Sequence, residues 1–293
     1  MSRGAVDIGT NTVRLLIRDG EVELERRIVI VGLGVGVDAT GVLAPEAMER
    51  AAVVLAEYGA LLDRHGAVQR RAVATSACRD AANSEEFLDR VATLIGVRPE
   101  VIPGEEEAVL SFRGATRAVP GGGSTLVIDP GGGSTEFVYG TDSVEYARSI
   151  DIGSVRLNDR MPAGRPASAA VVAAARAAVR EELTAVRLPG IPHRIIGVAG
   201  TYTSLAAIHL GLQQYDRERV HGARMSVAAL DGMIERFAGL TLEEAAAIPS
   251  MDPKRAPVML SGAIIAAESV RLAGQEVIVS EYDLLDALVE AES

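Results

Sequence analysis

Two stretches of the chain set carboxylates, glycines and hydroxyls in an order suited to holding phosphate. In Asp129-Pro130-Gly131-Gly132-Gly133-Ser134-Thr135-Glu136, an apolar run from Thr125 to Ile128 delivers a carboxylate into three glycines, two hydroxyls and a second carboxylate. Glycine lets a ligand approach the main chain closely, and successive N–H groups of such a turn form an anion-binding concavity. Ser134 and Thr135 add hydroxyl donors, and Asp129 and Glu136 could hold the divalent cation that a polyphosphate needs. A tight hairpin turn with no ligand would use the same residue types. The second stretch, Asp7-Ile8-Gly9-Thr10-Asn11-Thr12, repeats the order of strand, aspartate, glycine and hydroxyls. Two such copies suggest an internal duplication in which two similar domains face each other, each giving one phosphate-gripping loop.

Other residues could complete such a site. Arg79 follows the strand-like Arg71–Ala74, at the strand edge where open α/β sheets bind ligands, and is a candidate phosphate contact or a solvated arginine at a helix start. Glu105, Glu106 and Glu107 head a helix; acids there usually just complement the helix dipole, and their mutual repulsion could also raise one of them into the range of a general base. Gly200-Thr201 opens another helix, where a phosphate site and a simple N-cap look alike. His65, His193, His209 and His221 share no metal spacing, Cys78 is alone, and no nucleophile elbow is present. Hydrolysis here would therefore use water activated by a carboxylate and a metal.

The elements that must position these residues alternate strand and helix. Ala5–Ile8, Val13–Ile17 and Val22–Val31 read as strands, a helix follows from Pro45 to a stop at Gly66, and Asn83 with Glu86 resembles a capping box. Pro120-Gly121-Gly122-Gly123-Ser124 reads as a linker, dividing the chain into domains 1–120 and 121–293. Beyond it, the pattern predicts strands at 143–150, 194–198 and 277–279, an alanine-rich helix over 168–186, a capping box at Thr241 and Glu244, and a long last helix starting at Asp252-Pro253. The 293 residues, 48% of them hydrophobic, suffice for packed cores. A net charge of −11 argues against general nucleic-acid binding, which needs a basic surface. No apolar run reaches the roughly 18 residues of a membrane span, and no signal peptide is evident, so a cytoplasmic protein is expected.

Six motifs in order resemble those of the exopolyphosphatase and guanosine pentaphosphate phosphatase family: Asp7–Leu15, Ala74–Asn83, Gly104–Ala108, Ile128–Glu136, Gly153–Leu157 and Gly197–Thr201. The resemblance implies an α/β chain with the actin-like ATPase (ASKHA) fold, two RNase H-like domains with mixed sheets around a cleft. It implies hydrolysis of the terminal phosphate of inorganic polyphosphate or of the 5′ γ-phosphate of guanosine pentaphosphate, with magnesium or manganese. By the same resemblance Glu107 is the catalytic base, and Asp7, Asp129 and Glu136 stand near the metal. Gly9, Thr10, Asn11, Thr12 and Arg14, then Arg79, then Gly131 to Thr135, then Gly200 and Thr201 contact substrate. Thr12 stands where the family commonly has serine, and Pro130 where it has isoleucine or leucine, which removes a backbone N–H at the second loop. Longer members carry extra carboxyl-terminal helical domains, so short polyphosphates and a homodimeric state are expected. A kinase of the same superfamily, or a regulator that binds guanosine tetraphosphate without effective catalysis, would share the two loops.

Overall fold

The structure is a computed structural model that describes residues 1–274 and 276–290. Its first half is a mixed sheet of β1 (Ser2–Ile8), β2 (Thr12–Asp19), β3 (Val22–Ile30), β4 (Gln69–Ala74) and β5 (Glu100–Val101), in the order β3-β2-β1-β4-β5. The second half holds β6 (Thr125–Pro130), β7 (Thr135–Gly140), β8 (Val144–Ile150), β9 (Arg194–Gly197), β10 (Arg224–Ser226) and β11 (Glu276–Val279), in the order β10-β11-β9-β6-β7-β8. The first three strands of each half form an antiparallel meander, and the next joins in parallel beside the first. With β10 set aside, the two orders are the same. The chain is thus two RNase H-like halves, each a mixed sheet flanked by helices, which is the actin-like ATPase fold.

The duplication extends to register. Asp7 pairs across the first hairpin with Arg14, and Asp129 pairs across the second with Glu136, each one step before the turn. Cross-strand partners share a face. One half therefore matches its aspartate with a cation and the other with a second acid.

Helix Pro45–Arg64 and helix Ser84–Ile95 cover one face of the first sheet, burying Leu55, Leu62, Phe87 and Val91 against Val6, Ile8 and Leu15. Between the halves lies helix Gly104–Ala118. It buries Leu110 against the first sheet, and Ala108, Phe112 and Ala115 against Val127, Val138 and Ile196 of the second. After β11 the chain crosses back, and helix Leu284–Glu290 packs Leu284, Leu285 and Leu288 on Ala5, Leu16 and Val73. Among the described residues no helix is long and apolar enough to cross a membrane.

Two expected helix starts differ. The side chain of Asn83 caps nothing; its amide instead accepts from Leu43 N (2.8 Å) and donates to Leu43 O (3.0 Å), fastening the loop before the first long helix. Asp252-Pro253 opens only a single 3₁₀ turn, Pro253–Arg255, and the long helix begins at Met259. Pro257 explains the break, because it has no backbone N–H to continue the helical hydrogen-bond ladder. The capping box at Thr241 and Glu244 is present in both directions.

Candidate active site

The two glycine turns meet at a cavity of about 300 Å³ between the halves. Contact is close: a Cβ added to Gly132 would come within 2.9 Å of Thr10 Cβ and 3.1 Å of Asn11 N. Both turns hold their carbonyls away from the cavity. Thr10 O accepts from Gly34 N, and Asn11 O from Val31 N and Gly32 N. In the second turn Gly131 O accepts from Ser154 N, and Gly132 O from Val155 N and Arg156 N. The N–H groups of Thr10, Asn11, Gly132 and Gly133 have no protein acceptor among the described residues. Such unmatched donors on a concave surface are what an anion requires. Pro130 ends β6, and its carbonyl accepts from Thr201 Oγ1 at 3.1 Å.

Glu107 stands in the first turn of helix Gly104–Ala118 and lines the cavity, whereas Glu105 and Glu106 are exposed. Geometry thus separates three acids that composition left equivalent. Arg79 Nη1 donates to Glu107 Oε2 (2.9 Å) and to Ile102 O (2.8 Å), so the guanidinium holds this carboxylate in place. Burial pushes the Glu107 carboxyl up to about 7, against the pull of Arg79. Burial and the nearby Asp283 push Asp129 up to about 6, and Ser111 Oγ, one helical turn beyond Glu107, donates to Asp129 Oδ2 at 2.5 Å. Asp7 is raised by burial, although Arg14 Nε donates to its Oδ2 at 2.7 Å. Arg14 also pairs with Asp283.

Of the residues singled out by sequence, Asp7, Gly9, Thr10, Asn11, Thr12, Arg14, Glu107, Asp129, Gly131, Gly132, Gly133, Ser134, Gly200 and Thr201 line the cavity. Three stand behind its wall. Arg79 is engaged with Glu107, Thr135 donates to Ile152 O, and Glu136 accepts from Ser149 Oγ at 2.8 Å. Burial, then Glu107 and Asp129, hold the Glu136 carboxyl well above its usual range. Raised folded-state proton affinity means that folding is favoured at low pH and loses this contribution as pH climbs past the unfolded value of about 4.3. Glu136→Gln, which keeps an acceptor for Ser149, is therefore expected to raise Tm at pH 8 by about 2–4 °C per kcal/mol relieved, with the gain shrinking toward pH 5. Thermal melts at the two pH values check this; a lower Tm at pH 8 would contradict it.

The sequence reading missed several lining residues: Arg26, Ser76, Tyr215, Ser250, Arg255 and Asp283. Arg255 lies across Gly200, forms no ion pair within 4.0 Å among the described residues, and is made less basic by burial. Among the described residues, Ala199 (φ 65°) and Ser250 (φ 66°) are the non-glycine residues with left-handed backbone, and both line the cavity. Such strain gathers at ligand-clamping positions. A signal for Asp283 existed: it closes the loop that leaves the carboxyl end of β11.

Among the described residues no three His, Cys, Asp or Glu side chains form a ready-made metal cage. Magnesium does not need one, because it keeps waters and uses one or two carboxylates together with substrate phosphates. Asp7 Oδ1 is buried without a hydrogen-bond partner, and the oxygen-only donor set of Asp7 and Asp129 suits a hard cation. The residues fit the group.

Comparison with known proteins agrees with the fold. The chain is 41% identical over 307 aligned positions to exopolyphosphatase 2 of Mycobacterium tuberculosis, covering 97% of this chain and 96% of that one. Among solved structures, an exopolyphosphatase-like protein matches with a TM-score of 0.94 and 37% identity, over 99% of this chain and 98% of that one. An exopolyphosphatase from Cytophaga hutchinsonii matches with a TM-score of 0.90 and 30% identity, over 98% and 96% of the two chains. The model of the Ppx/GppA phosphatase family matches residues 17–289, and the chain belongs to that family.

Proposed function

We propose that the chain is a magnesium-dependent exopolyphosphatase that removes the terminal phosphate of short inorganic polyphosphate. The observation that carries this reading is a cleft in which two turns with unmatched N–H groups face each other and a carboxylate with proton affinity near neutrality stands beside them. The N–H groups of Thr10, Asn11, Gly132 and Gly133 take the non-bridging oxygens of the terminal phosphoryl group. Glu107 accepts a proton from water and aligns it opposite the bridging oxygen. A bond forms from the water oxygen to phosphorus and the bond to the bridging oxygen breaks, its electron pair leaving with the shortened chain. Arg255, lacking an acid of its own, is placed to hold that chain. Asp7 and Asp129 would hold magnesium or manganese, which supplies positive charge against the phosphate oxygens. Short chains are favoured because the protein carries a net charge of −11, which repels a long polyanion extending over its surface. The homodimeric state rests on the family resemblance alone.

A second reading, guanosine pentaphosphate 5′-phosphohydrolase, is favoured by one observation. Ile28, Ile30 and Tyr215 line the same cavity as Gly200 and Arg255, an apolar and aromatic surface that a bare phosphate chain does not require. Phosphate release from short polyphosphate, long polyphosphate, guanosine pentaphosphate and ATP separates the two readings. Fastest turnover of the short chain is expected; exclusive turnover of the pentaphosphate would establish the second reading. Binding of guanosine tetraphosphate with no turnover of any of them would instead make the chain a regulator. Asp129→Asn is expected to raise the magnesium concentration for half-maximal rate roughly 10-fold or more, and an unchanged magnesium curve would remove Asp129 from that role.

A further inference from the structure

The motif Gly153-Ser154-Val155-Arg156-Leu157 takes no part in the mechanism above, yet it is where the two halves touch beside the phosphate loops. Helix Ser154–Arg160 presents its first N–H groups to the carbonyls of Gly131 and Gly132. From that helix the largely buried Arg156 side chain reaches across the divide. Its Nε donates to Gly133 O at 2.7 Å, Nη1 to Asp38 Oδ1 at 2.5 Å, and Nη2 to Ser76 Oγ at 3.2 Å and to the Asp80 carboxylate. Gly133 belongs to the second loop, whereas Asp38, Ser76 and Asp80 belong to two separate short helical turns of the first half, Val37–Thr40 and Ser76–Asp80. The same helix adds Arg160, whose Nε donates to Asp38 Oδ2 at 2.8 Å, and Asp159, whose Oδ2 accepts from Gly36 N at 2.8 Å.

These contacts converge on the junction of the loops. Ser76, which Arg156 holds, is the side chain that a Cβ on Gly133 would overlap, and Thr10 of the first loop lies against both Gly132 and Gly133. A planar guanidinium with five donors in fixed directions can satisfy a carbonyl, a hydroxyl and two carboxylates at once, which an ammonium cannot do. By taking the Gly133 carbonyl rearward it also fixes the peptide plane that follows.

We propose that Arg156 is a positioning residue that sets the spacing and register of the two phosphate loops by tying the Gly133 carbonyl to Asp38, Ser76 and Asp80 of the opposite half. The proposal rests on the reading of the cleft as a phosphohydrolase site. It differs from a role in supporting the second loop alone, because the first-half carboxylates are then as necessary as the arginine.

The test joins three proteins and two readouts. The variant carrying Asp38→Asn and Asp80→Asn keeps every cavity-lining residue and leaves Arg156 on Gly133. Its kcat is expected to fall about 10- to 100-fold, the scale of an ångström of misplacement, with KM within a factor of about three. Amide hydrogen exchange in the peptide spanning residues 131–135 is expected to speed about 10-fold while that of 194–208 stays as in wild type. Arg156→Lys is expected to lose a similar factor, and combining it with the two asparagines to add little further. Wild-type kcat together with wild-type exchange in the asparagine variant overturns the proposal. A wild type that releases no phosphate from any substrate would remove the phosphohydrolase reading, and exchange over 131–135 would still decide the role of Arg156.

Discussion

Glu107→Gln is expected to lower kcat about 10²- to 10⁴-fold, the range for loss of a positioned general base, and to leave the fold and substrate binding in place. Glutamine has the size of the protonated glutamate, and its amide oxygen can still accept from Arg79 Nη1, which sits 2.9 Å from the present carboxylate. What it cannot do is take a proton. The pH dependence sharpens this expectation. Burial raises the Glu107 carboxyl to about 7, so the ionised base is present above that pH and is lost as pH falls through it. Wild-type kcat/KM is therefore expected to decline on the acid side with a midpoint near 7, steepening below about 6 where Asp129 also takes a proton. Glu107→Gln, with no base to titrate, is expected to lose the upper of these two limbs. Steady-state rates of both proteins from pH 5 to 9 check it; an unaltered limb in the variant would assign the proton to another group.

Gly133→Ala carries the second large effect. A Cβ at this position would overlap Ser76 Oγ and come within 2.8 Å of Thr10 Oγ1 and 3.1 Å of Ser76 Cβ. Ser76 cannot simply turn aside, because Arg156 donates to its hydroxyl and its backbone opens a helical turn tied to Thr75. The two loops must instead part. Overpacking of this kind costs about 1–3 kcal/mol of stability, and a displacement near 1 Å at the phosphate cradle costs about 10²-fold in rate. Gly122→Ala is the control. That glycine has no atom within 4 Å of an added Cβ, lies in the segment between the halves, and is expected to keep wild-type rate and Tm. Equal activity of the two variants would mean that the loops are not held at the distance the structure shows.

The parts of the site legible in the sequence are those coded locally. Each phosphate turn is written in consecutive residues, strand then aspartate then glycine then hydroxyls, and the copying of that order from Asp7 to Asp129 already announces two facing halves. Glu107 was set apart from its neighbours only by the family resemblance; composition offered three equivalent acids, since the helix phase that turns Glu107 inward and leaves Glu105 and Glu106 in solvent depends on how helix Gly104–Ala118 is clamped between two sheets. Arg255 and Ser250 were not legible at all, and Asp283 only through its place after β11. Each reaches the cavity from a distant loop. The return of helix Leu284–Glu290 to the first sheet was equally hidden, because its apolar stripe fits either sheet and the choice is made by the path of the chain after β11. Proline misled once, at Pro253, where a favourable first helical position was cancelled by Pro257 four residues later.

In the proposed mechanism water, held by Glu107, attacks the terminal phosphorus. Hydrolysis of tripolyphosphate in ¹⁸O-labelled water with magnesium, stopped after a single turnover and read by mass spectrometry, tests it most directly. One heavy oxygen is expected in the released orthophosphate and none in the pyrophosphate. Label in the pyrophosphate, which attack at the inner phosphorus would produce, or no phosphate released, would contradict it.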